Sequence, residues 1–308
     1  MGSEPGEYKG RDSVPENDHK SLPMKTIVDL LYKRMERCDL CPRKCGVNRR
    51  EGQRGYCGVN GKPMVSSYFP HHGEERVIRG WNGSGTIFFT GCNLRCVFCQ
   101  NFDISHLMHG YEIDVERLSR MMLELQEKGC HNINLVTPTH QIAFIVDAVE
   151  RARKTGLRIP IVYNTGSYDS VEVIKLLERT VDIYMPDFKF MDKEATKKYM
   201  NAPDYGEVAA ECIKEMYRQK GGLKVRNGIA TEGVLIRHLV MPNYTHDSLR
   251  IMDWIKENTP EAAVNIMAQY YPYYRAKEFP EINRRITLEE YEKVLRYAKD
   301  IGLNILEE

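Results

Sequence analysis

No stretch of this 308-residue chain approaches the roughly eighteen consecutive apolar residues that a membrane-spanning helix requires. The first twenty residues, MGSEPGEYKGRDSVPENDHK, lack the apolar centre of a secretory signal, and Gly6 stands where a myristoylation motif needs Ser or Thr. Charge of one sign is missing too. Forty-four Lys and Arg against 43 Asp and Glu leave a formal net charge of +1 and no long basic stripe, which argues against nucleic-acid and membrane partners. These absences predict a cytoplasmic protein. In a reducing cytosol, clustered cysteines read as metal ligands or catalysts before disulfides.

Cysteine is what the chain does have. Cys38, Cys41, Cys45 and Cys57 lie in CDLCPRKCGVNRREGQRGYCG, and Cys92, Cys96 and Cys99 crowd into GCNLRCVFCQN. Cys130, ahead of the strand-like INLV, and Cys212, in the helical stretch EVAAECIKEMYRQK, stand alone and are expected in or near the core, since free cysteine is among the most buried residue types.

Residues 1–24 are polar and without periodicity, which predicts a mobile tail. A short helix, KTIVDLLYKRME, leads into a cysteine-rich module and connection over 25–80. From there to residue 308, strand-like runs (TIFFT, INLVT, IPIVYN, VDIYM, GVLIRHLVM, AVNIMAQY) alternate with amphipathic helical stretches. Such alternation implies right-handed crossovers and a parallel sheet. Six units predict a partial (β/α)6 barrel of the TIM type, with a doubly wound open sheet as the structural alternative. In parallel barrels the loops after the strands carry the chemistry. Here those loops are GCNLRC, TPTHQ, NTGSYD, PDFKFMD, PNYTHD and YYPYYR.

Three thiolates at C-x3-C-x2-C on one tight loop can each bind a different iron of a cubane cluster, which leaves the fourth iron open. An open position is what a catalytic metal needs. The alternative is a structural zinc completed by His106 or His109.

GCNLRCVFCQN after a short first strand resembles the radical S-adenosylmethionine superfamily. The longer run GSGTIFFTGCNLRCVFCQNFDIS, with the upstream CDLCPRKCGVNR and GYCGV, is similar to the pyruvate formate-lyase activating enzyme homologues of that superfamily, a branch with an N-terminal cysteine motif; the likeness extends from about residue 36 to the C-terminus. The resemblance implies a [4Fe-4S] cluster on Cys92, Cys96 and Cys99, and S-adenosylmethionine bound at the open iron. It implies reductive cleavage to a 5′-deoxyadenosyl radical, and a reducing partner such as flavodoxin or ferredoxin. The substrate it implies is a protein or peptide, a glycyl-radical enzyme included, or else a small molecule or peptide that is methylated or cross-linked. An iron–sulfur electron carrier is a weaker alternative.

Carried over by motif, Phe98 lines the adenine site, and the aspartate–x–lysine element in MPDFK nominates Asp187 and Lys189 for S-adenosylmethionine, a zwitterion that wants both signs nearby. The bland alternative is a surface salt bridge. Where many members have Gly-Gly-Glu after strand two, this chain has VTPTH. Thr137, Thr139 and a neutral His140 then become the candidates for the methionyl amine, and Thr139 is also a good helix N-cap. After strand three, Asn164 replaces the leading acid of the DTNG that activating enzymes often show. RHLVMPN offers Arg237 and His238, of which strand alternation allows at most one to face the interior. Gln269 and the tyrosines of MAQYYPYYRA suit a substrate cavity or plain packing at the barrel mouth. The N-terminal four, Cys38, Cys41, Cys45 and Cys57, are spaced to close a second metal centre, either an iron–sulfur cluster or zinc.

Overall fold

The computed structural model describes residues 21–306. Residues 1–20, most of the expected tail, lie outside it. The tail boundary moves forward all the same: Leu22 packs against the core, its carbonyl accepts from Arg179 (3.0 Å), and Met24 already starts a helix.

The chain runs α1 (Met24–Lys33), β1 (Met64–His71), α2 (Arg76–Arg79), β2 (Ser84–Phe89), α3 (Phe102–Ser105), β3 (Tyr111–Glu112), α4 (Val115–Glu127) and β4 (Ile133–Val136). It continues with α5 (Ile142–Lys154), β5 (Ile161–Thr165), α6 (Val171–Leu176), β6 (Ile183–Pro186), α7 (Lys193–Met200) and α8 (Tyr205–Lys220). The last part is β7 (Lys224–Arg226), β8 (Ile229–Leu239), α9 (Thr245–Asn258), β9 (Ala263–Met267), α10 (Leu288–Asp300) and β10 (Asn304–Ile305).

Strands β2, β4, β5, β6, β8, β9 and β10 are parallel and lie side by side in chain order. That order decides between the two expected architectures. A doubly wound sheet reverses direction at a switch point, whereas a barrel advances one way. The six long members coincide with the six apolar runs, so the fold is the partial α/β barrel. The region before residue 81 contributes more than a connection: β1 pairs antiparallel with β2, and β3 with β1, extending the sheet at its edge. Met64–His71 therefore belongs to the barrel sheet.

Alternation along the strands builds two cores. Ile161 and Tyr163 of β5 face the helices, where α5 buries Ile142, Phe144, Ile145, Val146 and Val149; burying such side chains stabilises by about 1.5–3 kcal/mol each. Val162 faces the other way and packs with Ile78, Ile183, Met185, Leu235 and Ala263 inside the barrel. Helix starts follow their sequence signals. Asp114 and Asp192 cap α4 and α7 with their carboxylates, and Thr287 with Glu290 forms a capping box on α10. Cys130 and Cys212 are both buried.

Candidate metal and cofactor site

The loop after β2 carries Cys92, Cys96 and Cys99 and is held on every side. Val97 N–H donates to the Tyr199 carbonyl (2.9 Å), Arg275 N–H to the Val97 carbonyl (2.9 Å), and the Asn93 carboxamide to the Tyr168 carbonyl (2.6 Å). The thiols are engaged locally: Leu94 N–H donates to Cys92 Sγ at 3.3 Å, and Cys99 Sγ lies 3.2 Å from Ser105 Oγ. Burial pushes the Cys96 thiol well up and the Cys99 thiol up to about 11, while the Lys189 ammonium pulls Cys96 the other way. Buried thiols of this kind ionise readily only when a metal supplies the compensating charge. The donor set therefore suits a cluster. Among the described residues no three His, Cys, Asp or Glu side chains are grouped to hold a metal ion. A cubane does not ask for that convergence, because each thiolate takes a different iron. His106 reaches the loop through Ser105, whose Oγ lies 2.8 Å from its Nδ1, and through the backbone of Arg95. Phe98 is buried edge-on against Phe190 and Tyr270.

Asp187, Lys189, Arg237 and Asn164 meet at the C-terminal ends of β5, β6 and β8. Lys189 Nζ donates to Asp187 Oδ2 (2.6 Å), and Arg237 donates through Nε to Asp187 Oδ1 (2.9 Å) and through Nη2 to Asn164 Oδ1 (2.6 Å). The pair is no surface bridge; less than a fifth of either side chain is exposed. Burial alone would favour a neutral Asp187, but Arg237 and Lys189 overrule it and hold the carboxyl below its ordinary range. His238 turns to the opposite face, between the Phe188 carbonyl (2.7 Å) and Ser248 Oγ (2.8 Å), where burial drops it to about 4. One of the two neighbours thus faces inward, as strand alternation requires.

The VTPTH segment divides its residues. Thr137 has φ +60°, a strained value for a β-branched residue, and its N–H is held by the Asn164 carbonyl (2.9 Å). Thr139 does not cap α5, whose N-cap is Gln141; its hydroxyl sits 3.1 Å from that of Thr165 instead, because a short 3-10 turn over Thr139–Gln141 intervenes. His140 is buried against the Thr90 carbonyl (Nε2, 2.8 Å), and its Nδ1 has no hydrogen-bond partner. It faces the N-terminal module.

There, Cys38, Cys41, Cys45 and Cys57 line one small cavity with Arg43, Arg49, Asn93 and His140. Burial raises Cys57 and lifts Cys41 to about 12. Two arginines fasten this module to the barrel. Arg43 donates to the carbonyls of Asn93 (2.8 Å), Met200 (3.2 Å) and Asn201 (2.5 Å) and stacks on Tyr56 and Tyr168. Arg49, fully buried, donates to the carbonyls of His140 (2.6 Å) and Asn60 (3.2 Å). A Cβ on Gly91, at φ +87°, would collide with the Cys57 carbonyl, so the module presses directly on the start of the three-cysteine loop.

The tyrosine-rich run divides as well. Tyr270 is buried, its hydroxyl on the Ile282 carbonyl (2.8 Å), and Tyr274 stacks on Phe102, while Tyr271 and Tyr273 are exposed; Gln269 is exposed and touches Met267 Sδ. Sequence reasoning missed His71, Glu74 and Glu75, whose only signal is the charged HHGEER that interrupts two strand-like runs. Glu74 comes within 3.6 Å of Arg237.

No helix among the described residues is long and apolar enough to cross a membrane. The chain is similar to two uncharacterized proteins of Methanocaldococcus jannaschii: 35% identical over 289 residues, 91% of this chain and 79% of the relative, and 23% identical over 299 residues, 85% and 81%. It is 27% identical over 168 residues to the pyruvate formate-lyase-activating enzyme of Clostridium pasteurianum, 52% of this chain and 62% of that one. Among solved structures, native anSMEcpe with bound AdoMet aligns at a TM-score of 0.49 and 15% identity, over 70% of this chain and 61% of the other. Methylornithine synthase (PylB) aligns at 0.49 and 16%, over 94% and 74%. The model of the Radical SAM superfamily matches residues 86–255, from β2 into α9. That family implies a [4Fe-4S] cluster and S-adenosylmethionine, and this chain belongs to it.

Proposed function

We propose that Cys92, Cys96 and Cys99 hold the [4Fe-4S] cluster of an enzyme that abstracts hydrogen from a protein or peptide substrate, such as a glycyl-radical enzyme, with electrons from a partner such as flavodoxin or ferredoxin. One observation carries this reading: the three-cysteine loop stands at the barrel mouth with Lys189 in electrostatic reach of Cys96 and paired to Asp187. A cluster held by Cys92, Cys96 and Cys99 would, when reduced, supply the one-electron chemistry that cleaves S-adenosylmethionine into methionine and a 5′-deoxyadenosyl radical. The chain's own part is to orient and to exclude water. The ionised Asp187 carboxylate is an acceptor for the methionyl ammonium, while Lys189 and Arg237 offer N–H donors to its carboxylate. Phe98, Phe190 and Tyr270 form an apolar wall behind the loop.

The protein or peptide substrate draws its support from the similarity to the Clostridium pasteurianum enzyme, and fold does not settle substrate. Anaerobically reconstituted protein, reduced in the presence of S-adenosylmethionine and glycine-containing peptides deuterated at the α-carbon, should move deuterium into 5′-deoxyadenosine. Label transfer from small molecules alone would replace the peptide with the small-molecule reading.

The module over about residues 25–63 we propose as a second centre, bound by Cys38, Cys41, Cys45 and Cys57. The four cysteines line one cavity, and four thiolate ligands would close a site, which would make it structural or electron-transferring. The compact CPRKC and the contact of Gly91 with Cys57 favour an iron–sulfur relay over zinc. In a Cys92→Ala, Cys96→Ala, Cys99→Ala variant, about four irons per chain should remain. One zinc and no iron would make the module a structural clip, and no metal would sink the second centre.

A further inference from the structure

The end of β1 and the turn after it bring His71, Glu74 and Glu75 near Arg237 of the Asp187 cluster. Glu74 is served from two sides, by Arg237 Nη1 at 3.6 Å and by His71 Nδ1 at 3.3 Å. Asp187 likewise has both Lys189 and Arg237. Glu75 is treated differently. It is 4% exposed; its Oε1 accepts from the neutral carboxamide of Asn265 (2.9 Å), and its Oε2 has no partner. Arg237 lies within electrostatic reach of Glu75 but donates its hydrogen bonds to Asp187 and Asn164 and forms its 3.6 Å ion pair with Glu74.

The register places this carboxylate inside the barrel. Asn265 pairs with Arg237 across β8 and β9, two residues on from Ala263, which packs in the interior cluster. A second unsatisfied group shares that interior from the far side. Asn134 on β4 pairs with Val162, another member of the interior cluster; it is fully buried, and neither its Oδ1 nor its Nδ2 has a partner. Leaving a buried carboxylate oxygen and a whole carboxamide unmatched is destabilising, more so for the charged group. Groups left unmatched on inward-facing positions of a barrel whose mouth carries the chemistry point to a ligand that satisfies them.

We propose that Glu75 and Asn134 form a substrate subsite inside the barrel for a cationic nitrogen group, an ammonium or guanidinium. This rests on the radical reading above and names a substrate class for it. A carboxylate with one free oxygen is best matched by a charged N–H donor, and Asn134 Oδ1 adds a neutral acceptor. The cation comes either from a Lys or Arg side chain of a peptide or from a free small amine.

The test uses reconstituted wild-type protein with S-adenosylmethionine, unreduced, so that binding is read without turnover. Capped pentaglycine peptides with a central Arg, Leu or Glu are compared by equilibrium binding, with agmatine as the free-amine probe. The Arg peptide should bind at least about tenfold more tightly than the Leu peptide, with the Glu peptide weakest, and Glu75→Gln should erase that preference without changing the cluster spectrum. Agmatine binding with the same dependence on Glu75, and no peptide preference, supports the subsite and assigns its source to a free amine. Indifference of wild-type protein to all four probes overturns the proposal, leaving Glu75 and Asn134 as hosts for ordered water. The wild-type series decides by itself if the variant misfolds. Failure of the radical reading would show separately, as absence of 5′-deoxyadenosine.

Discussion

Cys96→Ala should abolish release of 5′-deoxyadenosine from reduced protein supplied with S-adenosylmethionine, and the loss should be the largest of any single substitution. Loss of a mere outer-shell partner typically costs about 10–100-fold, and loss of one of three ligands should exceed that. Of the three, Cys96 is the most buried, and Lys189, paired to Asp187, lies within electrostatic reach of it as well, so its removal also changes the surroundings of that ammonium. Nothing nearby replaces it. His106 is tied to Ser105 by its Nδ1. Iron content and the visible absorption of the reconstituted variant should fall in parallel with activity. Intact release in Cys96→Ala would refute the mechanism at its first step.

Asp187→Asn and Lys189→Met should each weaken S-adenosylmethionine binding by about 2–5 kcal/mol, roughly 30-fold to several-thousand-fold, while the cluster spectrum stays as it is. The structure explains why the first should be the more severe. Asp187 is shared by two cations, at 2.6 Å and 2.9 Å, and its neutralisation leaves Lys189 and Arg237 facing one another in a largely buried space. Removal of Lys189 leaves Asp187 still paired to Arg237. Because those cations hold the Asp187 carboxyl below its usual range, its negative charge persists as pH falls toward the ordinary carboxylate value. Binding carried by this group should therefore be insensitive to pH between 7 and about 5. Thermal unfolding of each variant without ligand separates a binding defect from a folding one. Unchanged affinity in both would mean that the pair serves only to anchor Arg237 and Asn164.

Much of this protein is local, and what is local can be read along the chain. The six apolar runs and their intervening amphipathic stretches depend on neighbours within a few residues, so the order of the barrel strands and their helices was legible. The same holds for the three-cysteine loop, whose chemistry sits within eight positions. Strand alternation alone separates Arg237 from His238. Direction of winding was another matter. Alternating strands and helices fit a barrel and a doubly wound sheet alike, and only the observed order, each strand beside its predecessor, distinguished them.

Pairings over long separations were likewise settled in three dimensions. The sequence of β1 does not announce that it will extend the sheet, since an edge strand is recognised by its partner. His140 lies 83 positions from Cys57 and Glu74 lies 163 from Arg237, yet each pair of regions meets, because closing the barrel brings the ends of distant strands to one axis. Thr139 looks like a cap from its neighbours alone; the hydroxyl of Thr165, contributed by the next strand, draws it inward. The sequence by itself determined which atoms could do chemistry here, thiolates above all, because that is a property of residue type and short spacing. Which of them share a cavity, and that Glu75 and Asn134 face the interior with atoms unpaired, only the tertiary structure decided, since burial and missing partners are properties of surroundings that arrive from elsewhere in the chain.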